Sequence, residues 1–215
     1  MLNSDWDVQG FYTEGGLRMD VTYAFINQYQ LRSGNRKISA NDVPDGQELE
    51  SFTRSNLINL NLDYMFNSDW GVSLQVPFVV RDHATFGEDH HSYDTSATSS
   101  FGDVSLLVNY QGFLEKHNLG VQVGVILPTG SFTDTFRSGD PLDRGLQPGT
   151  GTTDLLASIY YFDTLGKDWG YFAQASVRTA FNYRSDFKPG TAESLTLGLR
   201  YTAIERVIPQ LQVNG

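Results

Sequence analysis

The densest gathering of metal-ligating side chains is one stretch, Arg81-Asp-His-Ala-Thr-Phe-Gly-Glu-Asp-His-His91. It holds His83, His90 and His91, three of the four histidines in the chain, with Asp82 just before them and Glu88 and Asp89 between them. Imidazole nitrogen beside carboxylate oxygen is a donor set that suits zinc, copper or nickel. Read as a loop, the stretch can fold back around an ion, with His83, Glu88, Asp89, His90 and His91 as its ligands. The same composition also describes a hydrated loop that holds nothing, whose histidines titrate near neutrality. A second constellation is spread along the chain: Arg18, Asp20, Asp63, Arg81, Asp103, Asp154, Arg178 and Arg200. Facing one another, these charges form either a pairing network or a charged lining that acts on passing solutes. Signatures of catalysis are missing. There is no Gly-x-Ser-x-Gly elbow, no His-Glu-x-x-His and no phosphate-binding loop. Asp82, His83 and Ser92 can be set on paper as acid, base and nucleophile, but no spacing requires it. The chain reads as a non-enzyme without a cofactor.

What must position these residues is a set of strands. Over 17–32 the odd positions run Leu17, Met19, Val21, Tyr23, Phe25, and the even ones Arg18, Asp20, Thr22, Gln28, Gln30. A helix would scatter the apolar residues around its circumference, whereas a strand collects them on one face. The same split recurs over 51–66, 70–82, 101–112, 119–128, 151–162, 169–183, 193–201 and 207–213. The eight charged candidates fall on the polar face or where a strand begins. Links after every second strand are short, as in Asn67-Ser-Asp69. The others are usually long (33–50, 83–100 and 129–150, with a shorter 184–192), and the long ones are rich in Ser, Thr, Gly, Asp and Pro, which favour turns and loops.

Composition narrows the setting. The chain has 215 residues, 15 Lys and Arg against 25 Asp and Glu, a net charge of −10 and no cysteine. The acidic balance excludes a nucleic-acid binder, which needs a basic surface for phosphate. Absence of cysteine excludes a disulfide scaffold. Mean hydropathy is −0.32, and no apolar run nears the ~20 residues of a membrane helix. Two-faced strands fit two barrels: a soluble one with the apolar face inward, and an outer-membrane one with the apolar face on lipid. Three features favour the second. There are at least nine strands of membrane-spanning length. Long loops alternate with short turns. Aromatic rings gather at the short-turn ends: Tyr64, Phe66, Trp70, Tyr110, Phe113, Tyr161, Phe162, Trp169, Tyr171 and Tyr201. Rings at that level suit a headgroup girdle. The expected fold is an all-β, antiparallel, up-and-down transmembrane β-barrel. Its partners are outer-membrane lipid, lipopolysaccharide and a small-molecule solute. The short turns and residues 1–16 are expected on the periplasmic side.

Several segments also occur in a telling order: Val76-Pro-Phe-Val-Val-Arg81, Phe101-Gly-Asp-Val104, Leu127-Pro-Thr-Gly130, Gly149-Thr-Gly-Thr-Thr-Asp154 and Leu211-Gln-Val-Asn-Gly215. Together they resemble the outer-membrane family named for the meta-pathway of phenol degradation, from about residue 16 onward. The resemblance implies a barrel of about twelve strands and a transporter of hydrophobic or aromatic compounds. On that reading 17–215 is a barrel incomplete at its C-terminus, and a signal peptide has been removed or was never captured. The expected function is a channel or transporter for small molecules. The alternative is a non-conducting barrel whose outer loops bind a partner, a surface or a metal ion.

Overall fold

The computed structural model describes residues 15–39, 42–43, 46, 49–87, 91–203 and 209–215. Its strands in chain order are β1 (Gly16–Gln28), β2 (Arg32–Ser33), β3 (Arg36–Lys37), β4 (Leu49–Met65), β5 (Trp70–Phe86) and β6 (Tyr93–Phe101). They continue with β7 (Val104–Tyr110), β8 (Leu119–Leu127), β9 (Asp154–Leu165), β10 (Trp169–Ala180), β11 (Ala192–Tyr201) and β12 (Gln210–Asn214). Strands β2 and β3 form a small hairpin in the first long link. The remaining ten make one antiparallel sheet in the order β1-β4-β5-β7-β8-β9-β10-β11-β12, with β6 beside the upper part of β5. Neighbours in sequence are neighbours in space, as in an up-and-down barrel, and the sheet curls into a half-barrel.

Each of the nine alternating stretches forms a strand. The structure differs at 83–100, which the sequence reads as loop. There β5 runs on to Phe86 and β6 pairs along it from Phe78↔Phe101 to Phe86↔Tyr93. The outward residues of β6 include Thr95, Ala97 and Ser99, too small or polar to give the period-2 signal. Thr nevertheless favours extended backbone, and a hairpin above the apolar zone needs no apolar face. The sharp break at Gly102-Asp103 separates β6 from β7. Opposite it is Pro77, whose carbonyl accepts from the Gly102 N–H at 2.9 Å.

The two faces of the sheet have opposite character, and the polar one is inside. On the convex side Leu17 is 71% exposed, Leu197 49% and Val108 47%; on the concave side Asn61, Ser73 and Gln174 are exposed by 5% or less. This inverts the usual arrangement of a water-soluble protein. Aromatic pairs bound the apolar band. Near the short turns Trp70 lies against Tyr110 (ring centroids 4.6 Å apart) and Trp169 against Tyr201 (4.8 Å). Toward the long loops Phe78 meets Phe101 at 5.1 Å. From Trp70 to Phe78 along β5 is roughly 26 Å at ~3.3 Å per residue, or about 20 Å of height at a ~40° tilt. Just beyond, Arg54 and Asp82 are cross-strand partners on the outward face, where the surface becomes charged. Among the described residues no helix is long and apolar enough to cross a membrane.

Candidate functional site

The concave wall is built from hydroxyls and amides joined strand to strand. Asn109 Nδ2 donates to Ser73 Oγ at 2.7 Å, and Ser73 in turn donates to the Asp63 carboxylate, linking β7, β5 and β4. Ser158 Oγ donates to Gln122 Oε1 at 3.0 Å between β9 and β8. Ser176 and Ser194 hydroxyls are 2.6 Å apart between β10 and β11. Such groups bond to one another along the wall and keep further donors and acceptors that can hydrate a solute.

Large inward side chains lie flat along this wall, each over a glycine on the neighbouring strand. Met65 is paired with Gly71, Tyr160 with Gly120, and both Phe172 with Gly198 and Arg200 with Gly170. A Cβ on Gly71, Gly120 or Gly198 would collide with the facing side chain, and one on Gly170 would meet Arg200 Nε at 2.8 Å. The missing Cβ lets each bulky group cover its neighbour's backbone instead of projecting inward. Tyr160 is held there by donating to Gln111 Oε1 at 3.0 Å.

The charged residues of this wall either pair with one another or tie segments together. Asp154 is fully buried. Its Oδ2 accepts from Arg178 Nε and Nη2, both at 2.6 Å, and its Oδ1 accepts from Thr152 Oγ1 at 2.7 Å. Both carboxylate oxygens are thereby satisfied, as a buried charge requires. Arg18 pairs with Asp20 at 2.8 Å on β1. Asp103 is a staple. Its Oδ1 accepts from the Gly130 N–H at 3.0 Å, and its Oδ2 from the Thr150 N–H at 2.8 Å and Thr150 Oγ1 at 2.9 Å. One carboxylate therefore ties both ends of the β8–β9 loop. Backbones pack tightly here: a Cβ on Gly130 would lie 2.8 Å from Gly102 and 2.9 Å from Gly149. The motifs Val76-Pro77, Phe101-Gly-Asp103, Leu127-Pro-Thr-Gly130 and Gly149-Thr-Gly151, far apart in sequence, meet at this one junction.

From that junction the β8–β9 loop folds in over the concave face. Gln147 braces it, accepting from the Asp134 N–H at 2.9 Å and donating to the Leu142 carbonyl at 3.1 Å. A 3-10 turn, Arg144–Leu146, comes to rest on the wall. Arg81 latches it: Nε donates to Ser55 Oγ at 2.9 Å and Nη1 to the Leu146 carbonyl at 2.6 Å. Beneath the turn is a cavity of about 490 Å³ whose lining includes residues of β1, β4 and β5. The sequence gives no sign that this loop turns inward, because its Ser, Thr, Gly and Pro content is that of any exposed loop. Inward-facing Leu57, Leu107 and Leu156 escape it too, since they break the polar parity of their strands.

His83 departs from the loop expected for it. It lies in β5, is 95% buried on the concave side, and its Nδ1 sits 2.8 Å from Thr53 Oγ1. The strand carries it to Ser96 on β6, not toward the tip of the hairpin. His91 is exposed, and Glu88, Asp89 and His90 lie outside the described residues. Among the described residues no group of three or more acidic or histidine side chains could hold a metal ion.

No family model matches the chain, and no curated protein matches it. Among solved structures, it is similar to the crystal structure of an outer membrane channel from Pseudomonas putida F1. The TM-score is 0.59 and the identity 17%, over 98% of this chain and 74% of that one. At that identity the likeness shows a shared fold.

Proposed function

We propose that this chain forms an outer-membrane β-barrel channel for the passive passage of small solutes. One observation carries the reading: the sheet turns hydroxyl, amide and charged groups to its concave side and leaves a band of Leu, Val and Ile exposed on the convex side. In water that band would be an aggregation hazard, whereas in lipid it is the expected surface. The aromatic girdles, the long loops opposite short turns, and the channel fold of the Pseudomonas putida protein support the same reading. The partners are then outer-membrane lipid, lipopolysaccharide and the solute. The family resemblance adds hydrophobic or aromatic cargo, while the polar wall favours solutes that keep part of their hydration. The inward β8–β9 loop sets the constriction, with Arg81 and Asp103 fixing its position.

Planar-bilayer recording tests this. Stepwise conductance in simple salt is expected from the purified protein. A protein that inserts and folds but passes neither ions nor solutes in liposome swelling would instead be a non-conducting barrel, and its outer loops would become the functional surface.

A further inference from the structure

We infer that the cavity beneath the inward loop is a binding site for a small zwitterion with a short apolar body, of the size of a free amino acid or dipeptide. The inference rests on the channel reading and adds a solute class to it.

Charges of both signs line this one space: Arg81 from β5, Glu50 from β4 and Asp143 from the loop. His83, whose Nδ1 lies 3.9 Å from Glu50 Oε1, lines it too. Among the described residues Arg81 meets no carboxylate, and neither Glu50 nor Asp143 pairs with an arginine or lysine. Arg81 spends Nε and Nη1 on Ser55 and on the carbonyls of Gly145 and Leu146, which leaves Nη2 for a ligand. A simple anion entering here meets two carboxylates, and a simple cation meets a guanidinium. A zwitterion gives each wall charge an opposite partner, its carboxylate toward Arg81 and its ammonium toward Asp143 and Glu50. Ile26, Leu57 and Leu146, which line the same cavity, supply apolar surface for the body. A volume of about 490 Å³ lies within the range of small-molecule pockets. Glu50 and His83 lie beyond Asp82 on the long-loop side, so a solute would be held toward the mouth, against the inward loop itself.

Calorimetric titration of detergent-folded protein with three probes tests this. They are L-leucine, 4-methylpentanoate (the carboxylate without the amine) and 3-methylbutylamine (the amine without the carboxylate). Leucine should bind at least ten-fold more tightly than either analogue. In D143N/E50Q, neither of which latches the loop, that preference over 4-methylpentanoate should fall below three-fold. Equal binding of leucine and one analogue, or no leucine binding, would overturn the zwitterion site. Conductance of the same preparations in salt alone separates the two ideas. A conducting protein without leucine preference defeats this site and leaves the channel standing; a non-conducting one defeats the channel whatever it binds.

Discussion

Replacing Asp103 with Asn should release the inward loop while leaving the strands in place. The carboxylate accepts three hydrogen bonds, two of them at Oδ2 from Thr150. Asparagine, with its oxygen toward Thr150, keeps those two bonds without the charge and turns its NH2 group against the Gly130 N–H, so one bond is lost and two are weakened. A hydrogen bond to a charged group contributes about 1.5–3 kcal/mol, and bonds sharing one group are not additive. A net loss of about 3 kcal/mol is therefore a reasonable expectation. At ~1.4 kcal/mol per decade, the population with the loop out should rise about 100-fold. Trypsin cleavage after Arg144, in the turn that rests on the wall, reports that population when opening is fast relative to cutting. Mass spectrometry of the fragments should show that bond cut about 100-fold faster in D103N than in the parent. Asp163→Asn, which removes the Lys116–Asp163 pair at the short-turn end, should change it less than three-fold. The reasoning fails if D103N folds, judged by its heat-dependent gel shift, and the Arg144 bond is cut no more than three-fold faster.

Other perturbations read other parts of the molecule. Arg178→Met leaves Asp154 buried without its cation and should lower the unfolding free energy in vesicles by about 3–5 kcal/mol; adding Asp154→Leu should recover most of the loss. Leu74→Arg, on the convex face between the girdles, should cost about 2–4 kcal/mol, and Asp82→Arg above the band less than about 1 kcal/mol, in the same unfolding measurement. Gly120→Val should push Tyr160 off its neighbour's backbone, cost about 1–3 kcal/mol and lower single-channel conductance as the ring moves inward.

The strands were legible in the sequence because each has a clear apolar parity, as in Leu17, Met19, Val21, Tyr23 and Phe25. Legibility ends where that contrast ends. In β6 the outward Thr95, Ala97 and Ser99 carry no apolar signal, so the hairpin that places His83 in a strand is invisible. The charged residues could be listed from the sequence, but not their duties. Asp103 and Asp154 have the same parity and the same Gly-rich surroundings. One ties a loop and the other holds an arginine, because partners such as Thr150 and Arg178 are brought to them only by strand register. The glycines under Met65, Tyr160, Phe172 and Arg200 are likewise cross-strand facts. Four of the five ordered motifs converge in space, where three glycine backbones pack together under one carboxylate; the fifth, Leu211–Gly215, lies apart in β12 against β11.

A channel requires the concave face of the sheet to meet water and the convex face to meet lipid. The chain has no cysteine, so single cysteines can be placed from Val72 to Val79 along β5 in protein reconstituted into vesicles. A membrane-impermeant thiol reagent should label positions 73, 75, 77 and 79, while a fluorophore at positions 72, 74, 76 and 78 should be quenched by spin-labelled lipid. Labelling and quenching in the opposite phase, or without alternation, would contradict a polar path enclosed by a lipid-facing sheet.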